Sequence, residues 1–160
     1  MSGCIIKIAS PIYLLRAFET CWECGTRQEV VALATRHLAD CIPEANALHA
    51  DNEPLILDNI IEMPQAVLDY IRSVHPQYEK RPNKTAGFSY YVNTCSCGAH
   101  FGDYVLHLDP HGAFWPGSKE QAGQITIEEL PFSGAFDFVC SYGIGLGTFI
   151  FEHARRRAGG

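Results

Sequence analysis

The sequence is short of basic side chains. It contains 12 Lys and Arg residues against 18 Asp and Glu residues, which gives a formal net charge of −6 with histidine neutral. No Lys or Arg lies between Asp40 and Asp69, a segment that carries seven acidic side chains. Because like charges repel before contact, this balance disfavours binding to nucleic acid and to anionic membrane surfaces.

Long apolar runs are also missing. The uncharged run from Phe138 to Phe151 has fourteen residues and includes three glycines, whereas a membrane-spanning helix needs about 20 apolar residues. The N-terminal apolar stretch is interrupted by Lys7 and Arg16 and contains Pro11, which is not typical of a secretory signal. We therefore expect a cytoplasmic protein that does not associate with membranes.

Length and composition fit one folded domain. The chain has 160 residues, 47% of them hydrophobic, so a single core spanning residues 1–160 is expected. Its seven cysteines are an odd number, and without an export signal a disulfide framework is not expected. Metal-binding thiols together with buried core cysteines account for them better, and the isolated Cys4, Cys41 and Cys140 are predicted to be core residues.

Two close cysteine pairs are the strongest motif. Cys21 and Cys24 form one pair, Cys95 and Cys97 form the other, and a glycine follows each. A short spacing lets both sulfurs of a turn face one cation, and the glycine permits a positive φ at the turn. Four thiolates favour tetrahedral zinc or iron and leave no open coordination position. The motif predicts one structural Zn²⁺ that holds the domain together.

The second pair leaves one alternative open. Its C-x-C spacing is one residue shorter than the first pair, while Cys97 and His100 stand at the usual x₂ spacing. His100 is therefore an alternative ligand. Trp22 lies between the cysteines of the first pair, and its ring either packs back over the metal or forms a contact point for a partner.

Apolar patterning places both cysteine pairs on hairpins. Ile12–Phe18 and 28–35 flank the first pair, and Phe88–Thr94 and 103–108 flank the second. Other predicted elements are a strand at 55–57, a helix opening at Pro64, a loop at 78–87, a turn and loop at 110–124, a strand at Ile125 and Ile127, and a closing helix at 145–157 whose last turn holds three arginines. The predicted fold class is α+β, an antiparallel sheet built around a zinc ribbon with one or two packed helices.

Three segments of the chain carry a family pattern, namely Cys21-Trp22-x-Cys24-Gly25, Tyr90-Tyr91-x-Asn93-x-Cys95-x-Cys97-Gly98 and Gly102-Asp103-x-x-Leu106-His107. This pattern resembles a zinc-ribbon-like family of small, mostly uncharacterised proteins of bacteria and mobile elements. The resemblance covers about a quarter of the chain. It implies a structural zinc and a cytoplasmic setting, and it implies no reaction. The family's second pair is C-x₂-C, where this chain has C-x-C.

Two weaker groups of residues suggest other functions. His107, Asp109 and His111 stand at alternate positions and suit a second metal with an open position, as in a metal-dependent hydrolase. Basic side chains precede the aromatic residues of 88–91, a combination suited to a phosphate backbone with stacked bases; they are Lys80, Arg81 and Lys84.

The sequence favours a non-enzymatic structural-zinc protein that acts by binding another macromolecule, with a protein as the preferred partner. The closed metal site and the lack of a convincing catalytic set support this hypothesis. A nucleic-acid-binding zinc ribbon and a metal-dependent hydrolase are the alternatives.

Overall fold

A computed structural model describes residues 4–36, 38–40, 54–83, 87–102, 106, 112–143 and 146–157. The strands within them are β1 (Cys4–Ala9), β2 (Ile12–Thr20), β3 (Arg27–Thr35), β4 (Leu38–Asp40), β5 (Leu55–Glu62), β6 (Glu79–Asn83), β7 (Phe88–Thr94), β8 (His100–Phe101), β9 (Thr126–Glu129), β10 (Ala135–Gly143) and β11 (Arg155–Arg157). The helices are α1 (Gln65–Val74), α2 (Lys119–Ala122) and α3 (Gly147–His153).

The architecture is α+β with mainly antiparallel strands, as the sequence predicted. Eight strands form one sheet in the order β11-β9-β2-β3-β5-β10-β1-β4, and three form a second in the order β6-β7-β8. Among the described strands every pairing is antiparallel except that of β9 with β11, which is parallel. No helix in the described part of the chain is long and apolar enough to cross a membrane.

The first cysteine hairpin lies at the centre of the larger sheet. β2 and β3 pair without interruption from Ile12 opposite Thr35 to Thr20 opposite Arg27, so the predicted hairpin is confirmed. Successive side chains of a strand point to opposite faces. Leu15 packs into a core on one face and Leu14 into a core on the other. Burial on both faces explains why these strands are apolar almost without alternation.

The two faces have different coverings. One core contains Cys21 and Cys95, so the cysteine hairpins meet on that face. The core on the opposite face contains Val67, Leu68 and Ile71 of α1. Ten residues of helix begin just after Pro64, which confirms the predicted start. α1 therefore packs on the face of the sheet opposite Cys21 and Cys95.

The predicted loop at 78–87 is wrong in its first half. Residues 79–83 form β6, which pairs with β7 from Glu79 opposite Val92 to Asn83 opposite Phe88. As an outer strand of its sheet, β6 buries little, so its polar composition resembles a loop. Pro82 is tolerated there because an edge strand has one side without ladder hydrogen bonds.

The predicted closing helix at 145–157 is too long. α3 ends at His153, and the next residue, Ala154, has extended backbone angles. The three arginines then form β11 beside β9, where the backbone N–H of Arg155 donates to the carbonyl of Ile125 over 2.9 Å. Pairing with a distant strand overrides the local preference for helix.

Two other expectations change, and one is confirmed in part. The return strand of the second hairpin is His100–Phe101; the predicted strand at 103–108 lies outside the described residues except Leu106, which is helical. The predicted loop at 110–124 contains α2, capped by the side chain of Ser118. Cys140 is fully buried as expected, whereas Cys41 and the side chain of Cys4 lie outside the described part of the chain.

Candidate metal centre

Cys21 and Cys24 lie on a tight turn between β2 and β3. The backbone N–H of Gly25 donates to the carbonyl of Cys21 over 3.0 Å, and the N–H of Cys21 donates to the carbonyl of Thr26 over 2.8 Å. Gly25 has a φ of 76°, a left-handed backbone conformation that residues with a Cβ rarely adopt. The N–H of Glu23 points at the Cys21 sulfur over 3.4 Å. The glycine therefore closes the turn as predicted.

Cys95 and Cys97 lie on a matching turn between β7 and β8. The N–H of Gly98 donates to the carbonyl of Cys95 over 2.9 Å, and the N–H of Cys95 donates to the carbonyl of Ala99 over 2.8 Å. Gly98 also has a positive φ, of 97°. The shorter C-x-C spacing thus still produces a turn that presents two sulfurs on one side.

The four sulfurs converge. Each lies within 4.8 Å of the others, with 3.7 Å between Cys21 and Cys97 and 3.6 Å between Cys24 and Cys95. A disulfide needs about 2.05 Å, so these are free thiols. Sulfurs bound tetrahedrally at about 2.3 Å from one ion lie about 3.8 Å apart. The cluster is therefore of a size that can hold a metal ion, and its donors suit zinc.

The centre lies at the boundary between core and solvent. Cys21 and Cys95, the first cysteine of each pair, are buried, at 2% and 1% exposed. Cys24 and Cys97, the second of each pair, are exposed. Each turn thus contributes one inner and one outer sulfur, and all four coordination positions of a tetrahedral ion would be filled by protein.

The acidities of the two outer thiols differ. The hydroxyl and backbone N–H of Thr26 donate to the Cys24 sulfur and lower the pKa of Cys24 to about 6. The backbone N–H of Ala99 lowers the pKa of Cys97, but desolvation and the neighbouring sulfurs outweigh it and raise that pKa to about 12. Without a cation the Cys97 thiol therefore resists ionisation, whereas a bound dication stabilises thiolate forms.

Three side chains make four hydrogen bonds that join the two hairpins next to the sulfurs. The amide of Asn93 accepts from the N–H of Val31 over 2.8 Å and donates to the carbonyl of Val31 over 2.9 Å. The indole N–H of Trp22 donates to the backbone carbonyl of His100 over 3.0 Å. Gln28 accepts from the backbone N–H of Ser96 over 3.3 Å. Sequence analysis did not predict these contacts, although Asn93 lies two residues before Cys95 in the second cysteine motif.

The alternative ligand His100 makes a different contact. Its backbone carbonyl receives the Trp22 indole, and among the described residues the cluster able to hold a metal consists of the four cysteines. Trp22 itself is 72% exposed, so its ring faces solvent with the N–H fixed.

The side chains predicted to bind nucleic acid are not part of the four-cysteine cluster. Lys80 lies over the ring of Tyr91, 5.9 Å from its centroid, and the guanidinium of Arg81 pairs with Glu79 on the same strand. Lys84 lies outside the described residues, as do the hydrolase candidates His107, Asp109 and His111.

A second polar cluster lies on the α1 side of the sheet. Arg16 on β2 contacts Glu29 on β3 over 3.0 Å and Glu128 on β9 over 3.7 Å. The hydroxyl of Tyr70 on α1 donates to the other oxygen of Glu128, whose side chain is 5% exposed. Burial lowers the pKa of nearby His75, and Arg16 adds to that effect, whereas Glu29 and Asn93 oppose it. These contacts join three strands to the helix.

Comparisons with models of known protein families, with curated proteins and with solved structures find no match to this chain.

Proposed function

We propose that the chain is a structural-zinc protein that acts by binding another protein. Zn²⁺ would be held by Cys21, Cys24, Cys95 and Cys97 in a zinc-ribbon arrangement. Four thiolates leave no position for a substrate or a reactive water, so the ion would stabilise the fold without taking part in a reaction. Such a site contributes on the order of 10–16 kcal/mol of apparent binding free energy, comparable to the net stability of a domain.

The exposed ring of Trp22 is the observation that supports protein binding. Trp22 is 72% exposed at the tip of the first hairpin, while its indole N–H donates to the carbonyl of His100. A tryptophan held in one orientation loses little conformational freedom when a partner covers it. Tryptophan is also among the residues that contribute most to protein–protein affinity.

Metal analysis tests the first part of the proposal. Protein purified from its own cell should contain one zinc per chain by inductively coupled plasma mass spectrometry, and native mass spectrometry should give the same count. Folded protein without metal would contradict a structural zinc site. Iron in place of zinc would keep the ligand set and change the identity of the ion.

Affinity recovery tests the second part. The wild-type chain and the variants Trp22→Ala and Ile5→Ala should be compared as baits; Ile5 is 73% exposed and provides a matched control. We expect one protein to be recovered by wild type and Ile5→Ala and to be lost with Trp22→Ala. With that protein purified, Trp22→Ala should weaken binding by roughly thirtyfold.

Two outcomes of this comparison would change the proposal. Identical recovery by all three baits would show that Trp22 does not contact a partner. If nuclease treatment abolished the recovery, a nucleic acid would be the ligand, and the nucleic-acid-binding alternative would replace a protein partner.

A further inference from the structure

Among the described residues, one outer strand of the larger sheet has a free edge. β11 pairs with β9 on one side, from Arg155 opposite Thr126 to Arg157 opposite Glu128. It is the last strand in the sheet order, so no described residue pairs with its other side. A free strand edge presents backbone N–H and C=O groups in a row, and another extended segment can pair with them.

This edge is positively charged in a protein of net charge −6. Arg155 and Arg156 are exposed, and neither forms an ion pair with a carboxylate of the described residues. Other described arginines do so, as Arg16 pairs with Glu29 and Arg81 with Glu79. Because side chains alternate along a strand, Arg155 and Arg156 flank the free edge on its two faces.

A buried aromatic ring positions part of this charge. The guanidinium of Arg156 lies 5.3 Å from the centroid of Phe151, and that of Arg36 lies 4.7 Å from the same centroid. Phe151 is 6% exposed and packs edge-on against Tyr13, with 5.1 Å between centroids. Two guanidinium groups thus contact the same ring, and one of them belongs to β11.

We propose that the β11 edge binds an extended, acidic segment of a partner protein as an additional strand. The segment's backbone would pair with the free side of β11, and acidic side chains at neighbouring positions would meet Arg155 on one face and Arg156 on the other. This inference rests on the proposed function in that the partner is a protein, but it concerns a surface separate from Trp22.

The free backbone edge favours a protein segment over a nucleic acid. A phosphate backbone can pair with guanidinium groups but cannot complete a ladder of strand hydrogen bonds. Charged edge strands also prevent sheets from aggregating, which requires no ligand at all. Binding of a nucleic acid, and a charged edge that binds no ligand, are therefore the alternative outcomes of the experiment.

The probe is a short labelled peptide of threonine and valine with three consecutive glutamates, titrated with zinc-loaded full chain by fluorescence anisotropy. We expect binding that weakens as salt is raised. Arg155→Gln should weaken it about tenfold and the double variant with Arg156→Gln about a hundredfold, because each removes a charged partner. Arg27→Gln, which removes an exposed arginine stacked on Phe18, is the matched control and should bind as wild type.

A second peptide separates strand pairing from simple charge attraction. It has the same sequence but is N-methylated at alternate residues, which removes the N–H groups that a strand donates. We expect it to bind at least about tenfold more weakly. Equal binding by both peptides, or no binding of the first peptide to wild type, would overturn the proposal.

Two controls keep the outcomes distinct. Trp22→Ala should bind the peptide normally, so loss of the Trp22 partner and loss of peptide binding report on different surfaces. A single-stranded oligonucleotide that binds more tightly than the peptide and depends on Arg155 would overturn the protein-segment proposal in favour of nucleic acid. Unchanged circular dichroism and zinc content in each variant establish that it is folded.

Discussion

The side-chain amide of Asn93 pairs with both backbone polar groups of Val31. It accepts from the N–H over 2.8 Å and donates to the carbonyl over 2.9 Å, as a neighbouring strand would. β5 pairs with β3 only at Ala34 and Thr35. At Val31 the side chain of Asn93 takes the place of a neighbouring strand. Together with Trp22 and Gln28, Asn93 thereby joins the second cysteine hairpin to the first.

Asn93→Ala should lower the free energy of unfolding by about 2–4 kcal/mol. Asn93 is 1% exposed, and its loss leaves two buried backbone groups of Val31 without partners, at about 1–3 kcal/mol each. The matched control is Thr94→Val, because the hydroxyl of Thr94 makes only a local 3.4 Å contact with the carbonyl of Val92. Urea unfolding of the zinc-loaded proteins gives both values. Equal losses for the two variants would show that the Val31 contact contributes nothing specific.

Cys97→Ser and His100→Ala should differ in metal affinity. The Cys97 sulfur lies in the four-thiol cluster, so its loss should weaken zinc binding by roughly a hundredfold or more. His100 contacts Trp22 through its backbone carbonyl, which alanine retains, so that variant should bind zinc within about threefold of wild type. Competition with a chromophoric chelator measures both constants. Greater loss with His100→Ala would identify the imidazole as a ligand.

Arg16→Met should destabilise the fold by about 3–5 kcal/mol. The substitution keeps an apolar stem but leaves the buried carboxylate of Glu128 without its cation. Lys7→Met is the control, because Lys7 and Asp137 form an exposed pair over 3.8 Å whose loss should cost less than about 1 kcal/mol. Chemical denaturation at neutral pH compares them. Similar values for the two variants would mean that Glu128 does not depend on Arg16.

His75 should make stability sensitive to mild acid. Burial lowers the pKa of His75 below 6.5, its ordinary value. The unfolded chain therefore takes up this proton at a higher pH than the folded chain, and the free energy of unfolding falls as the pH drops below about 6.5. Arg16 and Glu29 are the charged groups that act on this imidazole, in opposite directions.

The variant His75→Gln isolates this effect. It lacks the titrating group, so its stability should change less than that of wild type between about pH 7.5 and pH 5.5. Urea unfolding across this range, with zinc content checked at each pH, supplies the comparison. Parallel curves for the two proteins would show that His75 takes up its proton equally in the folded and unfolded states.

Local sequence patterns predicted the parts of the fold that depend on neighbouring residues. The C-x₂-C-Gly spacing between two apolar runs specified the turn at Cys21 and the hairpin that bears it. Apolar residues at helical intervals after Pro64 specified α1. In both cases the interacting residues lie close in the chain, so the local sequence pattern is sufficient to predict the element.

Pairing between distant segments decided the rest. Residues 155–157 resemble the end of a helix, yet they form a strand because β9 offers backbone partners. Residues 79–83 resemble a loop, yet they form a strand because β7 pairs with them. A segment that is polar and exposed gives no local sign of its partner, since edge strands bury little.

The candidate metal centre depends on both levels. The sequence by itself determined that two turns would each present a pair of sulfurs, because spacing and glycine fix a turn locally. Only the tertiary structure decided that all four sulfurs lie within 4.8 Å and that Asn93 docks on Val31. The physical reason is that bringing together residues some seventy positions apart costs chain entropy, and only packing and pairing across the whole sheet can offset it.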